Sequence, residues 1–255
     1  MIFKRGSIDL NCDVGERPSA IIDGSERRLL QFVSSANIAC GGHAGDAETM
    51  KRVIDLCVEL GVSIGAHPSY PDRAGFGRSK IDISPAALAE SINKQIESLV
   101  VLAHNAGAAV RHVKPHGALY NAAVNDRELS MTIANAVATI DRRFVLVGLA
   151  GSGMLDVWRK AGFIVAAEAF ADRRYQSDGT LRPRSLGNAL ITNPDEAVHR
   201  VLTLVRDGEI LEADDTRLVV DAQTVCIHSD TENAIAIAQS IHAGLLSARI
   251  TIKPL

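Results

Sequence analysis

Residues 64–78 read IGAHPSYPDRAGFGR. The stretch begins inside a short apolar run, residues 62–66, that reads as a buried parallel strand. His67 stands where that strand ends, and Pro68 forbids its continuation. Ser69, Tyr70, Asp72, Arg73 and Arg78 then crowd into one loop, with Gly75 and Gly77 to let it bend. A plain connection needs glycine and proline. It does not need a histidine, a tyrosine, an aspartate and two arginines, which is the composition of a loop that carries function on a rigid scaffold.

The same grammar recurs on either side. Residues 7–11 form a first strand in which Ile8 and Leu10 are apolar, so Asp9 and Asn11 share the other face. Asp13 and Glu16 follow around Gly15. Residues 34–40, SSANIAC, make a second strand leading into Gly41, Gly42 and His43. Asp46 then caps a helix that closes at Gly61. After the opening stretch, Ser84 and Pro85 start a long helix ending near Gly107. Residues 109–113 are a fourth strand, delivering Lys114, Pro115 and His116, and a helix spans residues 126–140. Residues 144–148 lead into the glycine-rich turn LAGSG, 149–153, whose amides suit an anion. That turn matches neither a P-loop nor a dinucleotide fingerprint, and no Walker motif occurs.

Residues 163–170 form a sixth strand carrying Glu168. A polar segment, residues 171–189, follows with Asp172 and Arg173, long enough to be a lid, a binding loop or disordered. Asn193 starts a helix that ends near Gly208. Residues 216–223 read as a short strand or an excursion. Residues 224–227 are the last core strand, ending in His228, Ser229 and Asp230, and a terminal helix runs over residues 230–246.

Composition narrows the class. The chain has 255 residues, 47% hydrophobic but only 4% aromatic, which suits aliphatic sheets buried under helices. A net charge of −3 argues against broad nucleic-acid binding. The four cysteines lack CxxC spacing and read as small buried hydrophobes, in a reducing cytoplasm. Residues 1–13 hold no leader-like apolar core, and no run is long enough to span a membrane. Alternating strands and helices without a linker predict one domain over residues 1–255, an irregular (β/α) barrel of about seven strands. In such a barrel the active face lies at the C-terminal ends of the strands. Asn11, Asp13, His43, His67, Lys114, His116, Glu168, Asp172, His228 and Asp230 all fall there. Histidines and carboxylates suit proton transfer at a carbonyl or amide, and a lysine or arginine suits a substrate carboxylate or an oxyanion. Two histidines with Asp13 are the alternative, a divalent metal with an open position.

Five ordered motifs, DLNCDVGE (9–16), ANIACGGHAGD (36–46), residues 65–78, VKPHGALYN (113–121) and EAFADRRY (168–175), resemble those of the LamB/YcsF family. Ser229 stands where that family usually has a glycine, and Thr231-Glu232 replaces Thr-Pro. The resemblance implies a cytoplasmic enzyme of several subunits that opens the lactam of 5-oxoproline to glutamate with ATP, needing two further 5-oxoprolinase subunits and magnesium with the nucleotide. It also implies kinship in fold with metal-dependent deacetylase barrels, for which Asp13, His43 and His67 are the metal-ligand analogues. On this reading Asp13, His67, His116 and Glu168 handle protons. Lys114 with Arg73 or Arg173 holds the anionic substrate, with Asn11, Ser69, Asp172 and His228 around it. The rivals are an ATP-independent metal amidohydrolase or deacetylase, and a subunit that only binds substrate.

Overall fold

The computed structural model describes residues 6–212 and 216–255. Residues 1–5, part of the segment read for a leader, lie outside the described residues. The first strand, β1 (Ser7–Val14), is followed by short helices α1 (Pro18–Ile22) and α2 (Ser25–Leu30). Strand–helix units then run β2 (Ser35–Ala39), α3 (Ala47–Leu60), β3 (Ser63–His67), α4 (Pro85–Asn105) and β4 (Val110–Val113). They continue through α5 (Gly117–Ala123), α6 (Arg127–Ala138), β5 (Val145–Leu149), α7 (Gly153–Lys160) and β6 (Val165–Phe170). The chain closes with α8 (Pro194–Asp207), β7 (Glu209–Leu211), β8 (Arg217–Val219), β9 (Thr224–His228), α9 (Ala234–Ser247) and β10 (Thr251–Ile252).

Seven parallel strands close in the order β1-β2-β3-β4-β5-β6-β9, with β9 returning to β1 through the register Asp9↔Thr224 to Asp13↔His228. The fold is therefore a (β/α)7 barrel. β10 adds a parallel pairing to the start of β1, and β7–β8 form a separate antiparallel hairpin within residues 209–219. That hairpin is the excursion expected at residues 216–223. It lies outside the barrel: β8 leaves Arg217 and Val219 exposed, and β7 buries Ile210.

Sequence chemistry sets the element ends. Asp46, Ser84 and Asp126 each accept a hydrogen bond from the amide three residues on, at 2.8, 3.2 and 2.9 Å, and so begin α3, α4 and α6. Gly61 and Gly208 end α3 and α8 in the left-handed conformation. The last helix starts four residues later than residue 230, because Thr231 and Asp230 are held by the site described below. No described helix is long and apolar enough to cross a membrane.

On β1, Ile8, Leu10, Cys12 and Val14 are buried in the apolar layer beneath the helices. Asp9, Asn11 and Asp13 alternate with them, equally buried but inside the barrel. Asn37, His112, Glu168 and Thr224 face the same interior. This barrel is filled by polar side chains where branched aliphatic ones are usual.

Candidate functional site

Inside the barrel every polar group must find a partner, since none reaches water. Asp9 accepts from Ser34, Ser35 and Thr224 at 2.6, 2.7 and 2.5 Å. Burial nonetheless raises its carboxyl pKa above the usual value. Above it, Asn37 donates to Asn11 and Asp13 at 2.7 and 2.8 Å, and His112 Nε2 lies 2.8 Å from the Asn37 side-chain Oδ1. Burial presses the His112 pKa down to about 3, so the ring is neutral. Lys114 caps this layer. Its Nζ lies 2.9 Å from both Asp13 Oδ1 and Glu168 Oε1 and 3.1 Å from Cys226 Sγ. Burial opposes both charges of the first pair, but His67 and Lys114 hold Asp13 well below the usual carboxylate range. Asp13, Cys226 and Glu168 in turn keep Lys114 charged. Tyr120 donates to the other Glu168 oxygen at 2.8 Å.

Above this layer opens a cavity of ≈ 360 Å³, lined by Asp13, Glu16, His67, Lys114, His116, Tyr120, Phe170, Arg173, Arg184, His228 and Asp230 among others. It falls in the range of small-molecule sites, roughly 300–1,000 Å³. One wall is a histidine aimed by a carboxylate. His228 Nδ1 donates to Asp172 Oδ1 at 3.0 Å, while Asp172 Oδ2 accepts from the His228 amide at 3.1 Å and from Thr231 Oγ1 at 2.5 Å. Burial would raise the Asp172 pKa, yet His228 beside it and these donors lower it. The Phe170 ring stacks on His228 with centroids 5.3 Å apart. His228 is left with Nε2 as its second nitrogen, the one able to act as a base.

Residues 171–189 form the adjoining wall. They are an ordered loop, pinned by bridges between Arg173 and Leu190 and between Tyr175 and Leu181. Arg184 fixes it to the mouth with bonds of 3.0 and 3.1 Å to Asp230, which also takes Arg78 at 2.6 Å. Arg173 is 6% exposed and donates to the Arg182 carbonyl at 2.8 Å, and its Nε has no partner. Among the described residues no carboxylate lies within ion-pair distance of it. Burial and the neighbouring Arg184 lower its pKa, which is what an anion arriving there would relieve.

The opposite wall holds three imidazoles around Glu16. Gly15, at φ +73°, turns the chain beyond β1 so that Glu16 returns over the strand ends. Glu16 Oε1 lies 3.0 Å from His43 Nε2, 3.2 Å from His116 Nδ1 and 4.0 Å from His67 Nε2. His43 and His116 stack face to face, with centroids 3.6 Å apart and planes 2° from parallel. Burial lowers the pKa of His116 and takes that of His43 to about 4. One donor atom from each of Glu16, His43, His67 and His116 falls within 4.8 Å of the others, and Asp13, Cys226 and His228 form a second such group. The second group is a poor metal site, since the Lys114 ammonium already sits on both Asp13 and Cys226.

The structure thus gathers Asn11, Asp13, His43, His67, Lys114, His116, Glu168, Asp172, Arg173 and His228 at one end of the barrel. It does not bring Ser69 or Arg73 to the cavity. Ser69 Oγ donates to the Tyr70 carbonyl, and Gln95 braces both backbone groups of Ser69. Arg73 is spent on the carbonyls of Gly41 and Gly45. Of the metal set drawn from Asp13, His43 and His67, Asp13 gives Oδ1 to Lys114 while its Oδ2 lies 3.4 Å from His67 Nε2, and His43 lies on Glu16. Two amides of the turn 149–153, those of Ala150 and Ser152, already serve the carbonyls of Glu168 and Leu149. Sequence reading gives Glu16 no role, and passes over Asn37, His112 and Arg184. Glu16 is the findable one, a carboxylate next to a glycine at a strand end. Asn37 and His112 sit in apolar strands, where only the closed barrel shows which way each points.

Comparison with known proteins agrees with this architecture. The LamB/YcsF family model matches residues 8–255. A protein of Chloroflexus aggregans, named as one of the subunits of 5-oxoprolinase, is 48% identical over 97% of this chain and 98% of its own length. One of the same name from Shouchella clausii is 47% identical over the same shares. A crystal structure described as a lactam utilization protein, from Thermus thermophilus, superposes with a TM-score of 0.91 at 38% identity, covering 98% of this chain and 100% of the other. With a match that spans the barrel from β1 to β10, the chain belongs to the LamB/YcsF family.

Proposed function

We propose that this chain is one component of a 5-oxoprolinase, which opens the lactam of 5-oxo-L-proline to L-glutamate with hydrolysis of ATP to ADP and phosphate. Two further subunits complete the enzyme, and ATP with its magnesium enters through the complex. A reaction that consumes ATP belongs to the cytoplasm. The names carried by full-length relatives at 45–48% identity support the substrate. The structural observation that carries the reading is Arg173, a buried guanidinium with no carboxylate at ion-pair distance among the described residues, lining the same small-molecule-sized cavity as a carboxylate-aimed histidine. 5-Oxoproline is a small anion with one amide bond to break, and these two groups answer its two ends.

In this reading Arg173 takes the substrate carboxylate in a charge-assisted pair. Lys114, neutralised on both sides, sets the field beneath the lactam and does not clamp the carboxylate. An unactivated lactam resists water because amide resonance must be given up. Transfer of the ATP γ-phosphoryl group to the lactam oxygen releases ADP and makes the ring carbon electrophilic. His228 Nε2 accepts a proton from the attacking water and returns it to the ring nitrogen as the C–N bond breaks. The product of that step is an acyl phosphate, and a second water releases phosphate and glutamate. The sum is 5-oxoproline, ATP and two waters giving glutamate, ADP and phosphate.

The test is ATP-dependent glutamate formation by the assembled subunits, with this chain, without it, and with Arg173→Met. Glutamate forms only when the chain is present. The substitution raises KM for 5-oxoproline at least about tenfold, the loss expected for one charged hydrogen-bonding partner. A partner set that is competent with a relative's corresponding subunit but gives no glutamate with this chain overturns the proposal, as does equal turnover without ATP.

A further inference from the structure

Two hydrogen bonds at the edge of the cavity leave an electrostatic conflict at its centre. His67 Nδ1 lies 2.7 Å from the Lys114 carbonyl oxygen, and His116 Nε2 lies 3.1 Å from the Phe76 carbonyl oxygen. A carbonyl only accepts, so each of these nitrogens carries the ring proton. The remaining nitrogens, His67 Nε2 and His116 Nδ1, face each other at 3.0 Å, with Glu16 Oε1 3.2 Å from the second and Asp13 Oδ2 3.4 Å from the first. His43 Nε2 joins them 3.0 Å from Glu16 Oε1. Two carboxylate oxygens and three ring nitrogens thus converge on one point, and a positive charge placed among them satisfies all of them.

We propose that Glu16, His43, His67 and His116 hold a divalent transition-metal ion such as Zn²⁺, with Oε1, Nε2, Nε2 and Nδ1 as the ligand atoms. Four ligands at about 2.0–2.1 Å from a tetrahedral zinc stand about 3.3 Å apart. Four of the six edges here are 3.0, 3.0, 3.2 and 4.0 Å, and the remaining two lie within 4.8 Å. The His43 and His116 rings, stacked 3.6 Å apart, turn slightly to aim both nitrogens at the ion. The backbone bonds to His67 and His116 are the outer support that metal-bound imidazoles use to fix tautomer and direction. The surrounding chain packs closely on the site. A Cβ on Gly77 would come within 3.0 Å of His43 Cβ and 3.1 Å of the His116 ring, and Phe76 adopts φ 54° to present its carbonyl. Three nitrogens and one carboxylate suit zinc and its first-row neighbours better than magnesium. The site is distinct from any magnesium carried by ATP, and it does not depend on which amide is cleaved.

The full-length chain is stripped with chelator, then titrated with Zn²⁺ by calorimetry and with Co²⁺ by visible absorption. Expected are one equivalent per chain and the intense d–d bands of low-coordinate cobalt. Glu16→Gln and His116→Ala weaken binding at least about tenfold, while His228→Asn, outside the ligand set, binds as wild type. Circular dichroism verifies that each variant is folded, and Glu16→Gln, which keeps shape, decides if His116→Ala is not. Substoichiometric binding without d–d bands, or wild-type affinity in a folded Glu16→Gln, overturns the proposal. Neither readout uses 5-oxoproline, so a failed lactam assay leaves the metal result standing, and a failed titration leaves the lactam assay standing.

Discussion

Asp172 shows how much one atom's hydrogen bonding decides. Its Oδ2 takes two donors, the His228 amide and the Thr231 hydroxyl, and its Oδ1 takes His228 Nδ1–H. In Asp172→Asn the single amide oxygen stays with the two donors. The new NH2 then faces Nδ1 and forces the ring proton onto Nε2, which ceases to be a base. We expect kcat to fall about 10²–10⁴-fold, the range of general acid–base contributions, with KM nearly unchanged. Steady-state kinetics on the assembled enzyme checks this, and an equal change in KM would assign Asp172 to binding. Sequence could place Asp172 and His228 in the same loop cluster because each follows a strand end. It could not pair them, since they are 56 residues apart and meet only when β6 and β9 lie side by side. It set Ser69 and Arg73 too high for a similar reason: a polar side chain in a functional loop is as often a brace for that loop as a contact for the substrate.

At the scale of elements, α2 is tied to the turn after β1 by one carboxylate. Glu26 is buried, its Oε1 accepts from the Gly15 amide at 2.7 Å, and its Oε2 has no partner. Burial raises its pKa to about 7. A carboxyl whose folded pKa lies above its unfolded value of about 4.3 contributes stability that is whole below the unfolded value and is lost as pH rises through 7. Glu26→Gln keeps the acceptor for Gly15 and removes the charge. Its unfolding free energy relative to wild type therefore climbs between about pH 5 and about pH 8, by an amount approaching 3 kcal/mol, and its thermal midpoint climbs with it. A difference that is flat with pH would show that Glu26 stays ionised in the fold.

Between β3 and β4 the tie is steric. A Cβ on Gly65 would stand 2.0 Å from His112 Nε2, where the ladder shifts register beside Gly65. Gly65→Ala destabilises by about 1–3 kcal/mol, as overpacking does, and denaturant unfolding measures it. The caps, prolines and glycines that start and stop the helices were legible because capping is a local matter. The inward direction of Asn37 and His112 was not, because a strand's two faces look alike until the barrel closes.

The whole molecule depends on a charge balance that no single strand contains. Lys114 comes from the end of β4, Asp13 from β1 and Glu168 from β6, so one ammonium binds strands from across the barrel. Their meeting follows from the strand order, and the seven-strand alternation that predicts that order was readable from the chain. A buried ion is tolerable only while its partners remain. Lys114→Met deletes the cation and leaves Asp13 and Glu168 facing each other through Asn11, without water. Removing one member of a buried pair costs about 3–5 kcal/mol, and a protein of this length loses about 2–4 °C in Tm for each. We therefore expect a fall of about 10 °C near neutral pH. The sign of the pH dependence follows from Asp13, whose folded pKa lies well below the usual range. Its contribution is present above the unfolded value of about 3.9 and is lost as pH falls below it. The variant's Asp13 keeps only the part of that contribution owed to its other neighbours, His67 first among them, and its carboxylates shed their repulsion on taking up protons. The gap between wild type and Lys114→Met thus narrows toward acid. Calorimetric scans from about pH 7 down to about pH 2 measure it. A gap that stays constant or widens would show that Lys114 stabilises the barrel by packing rather than by charge.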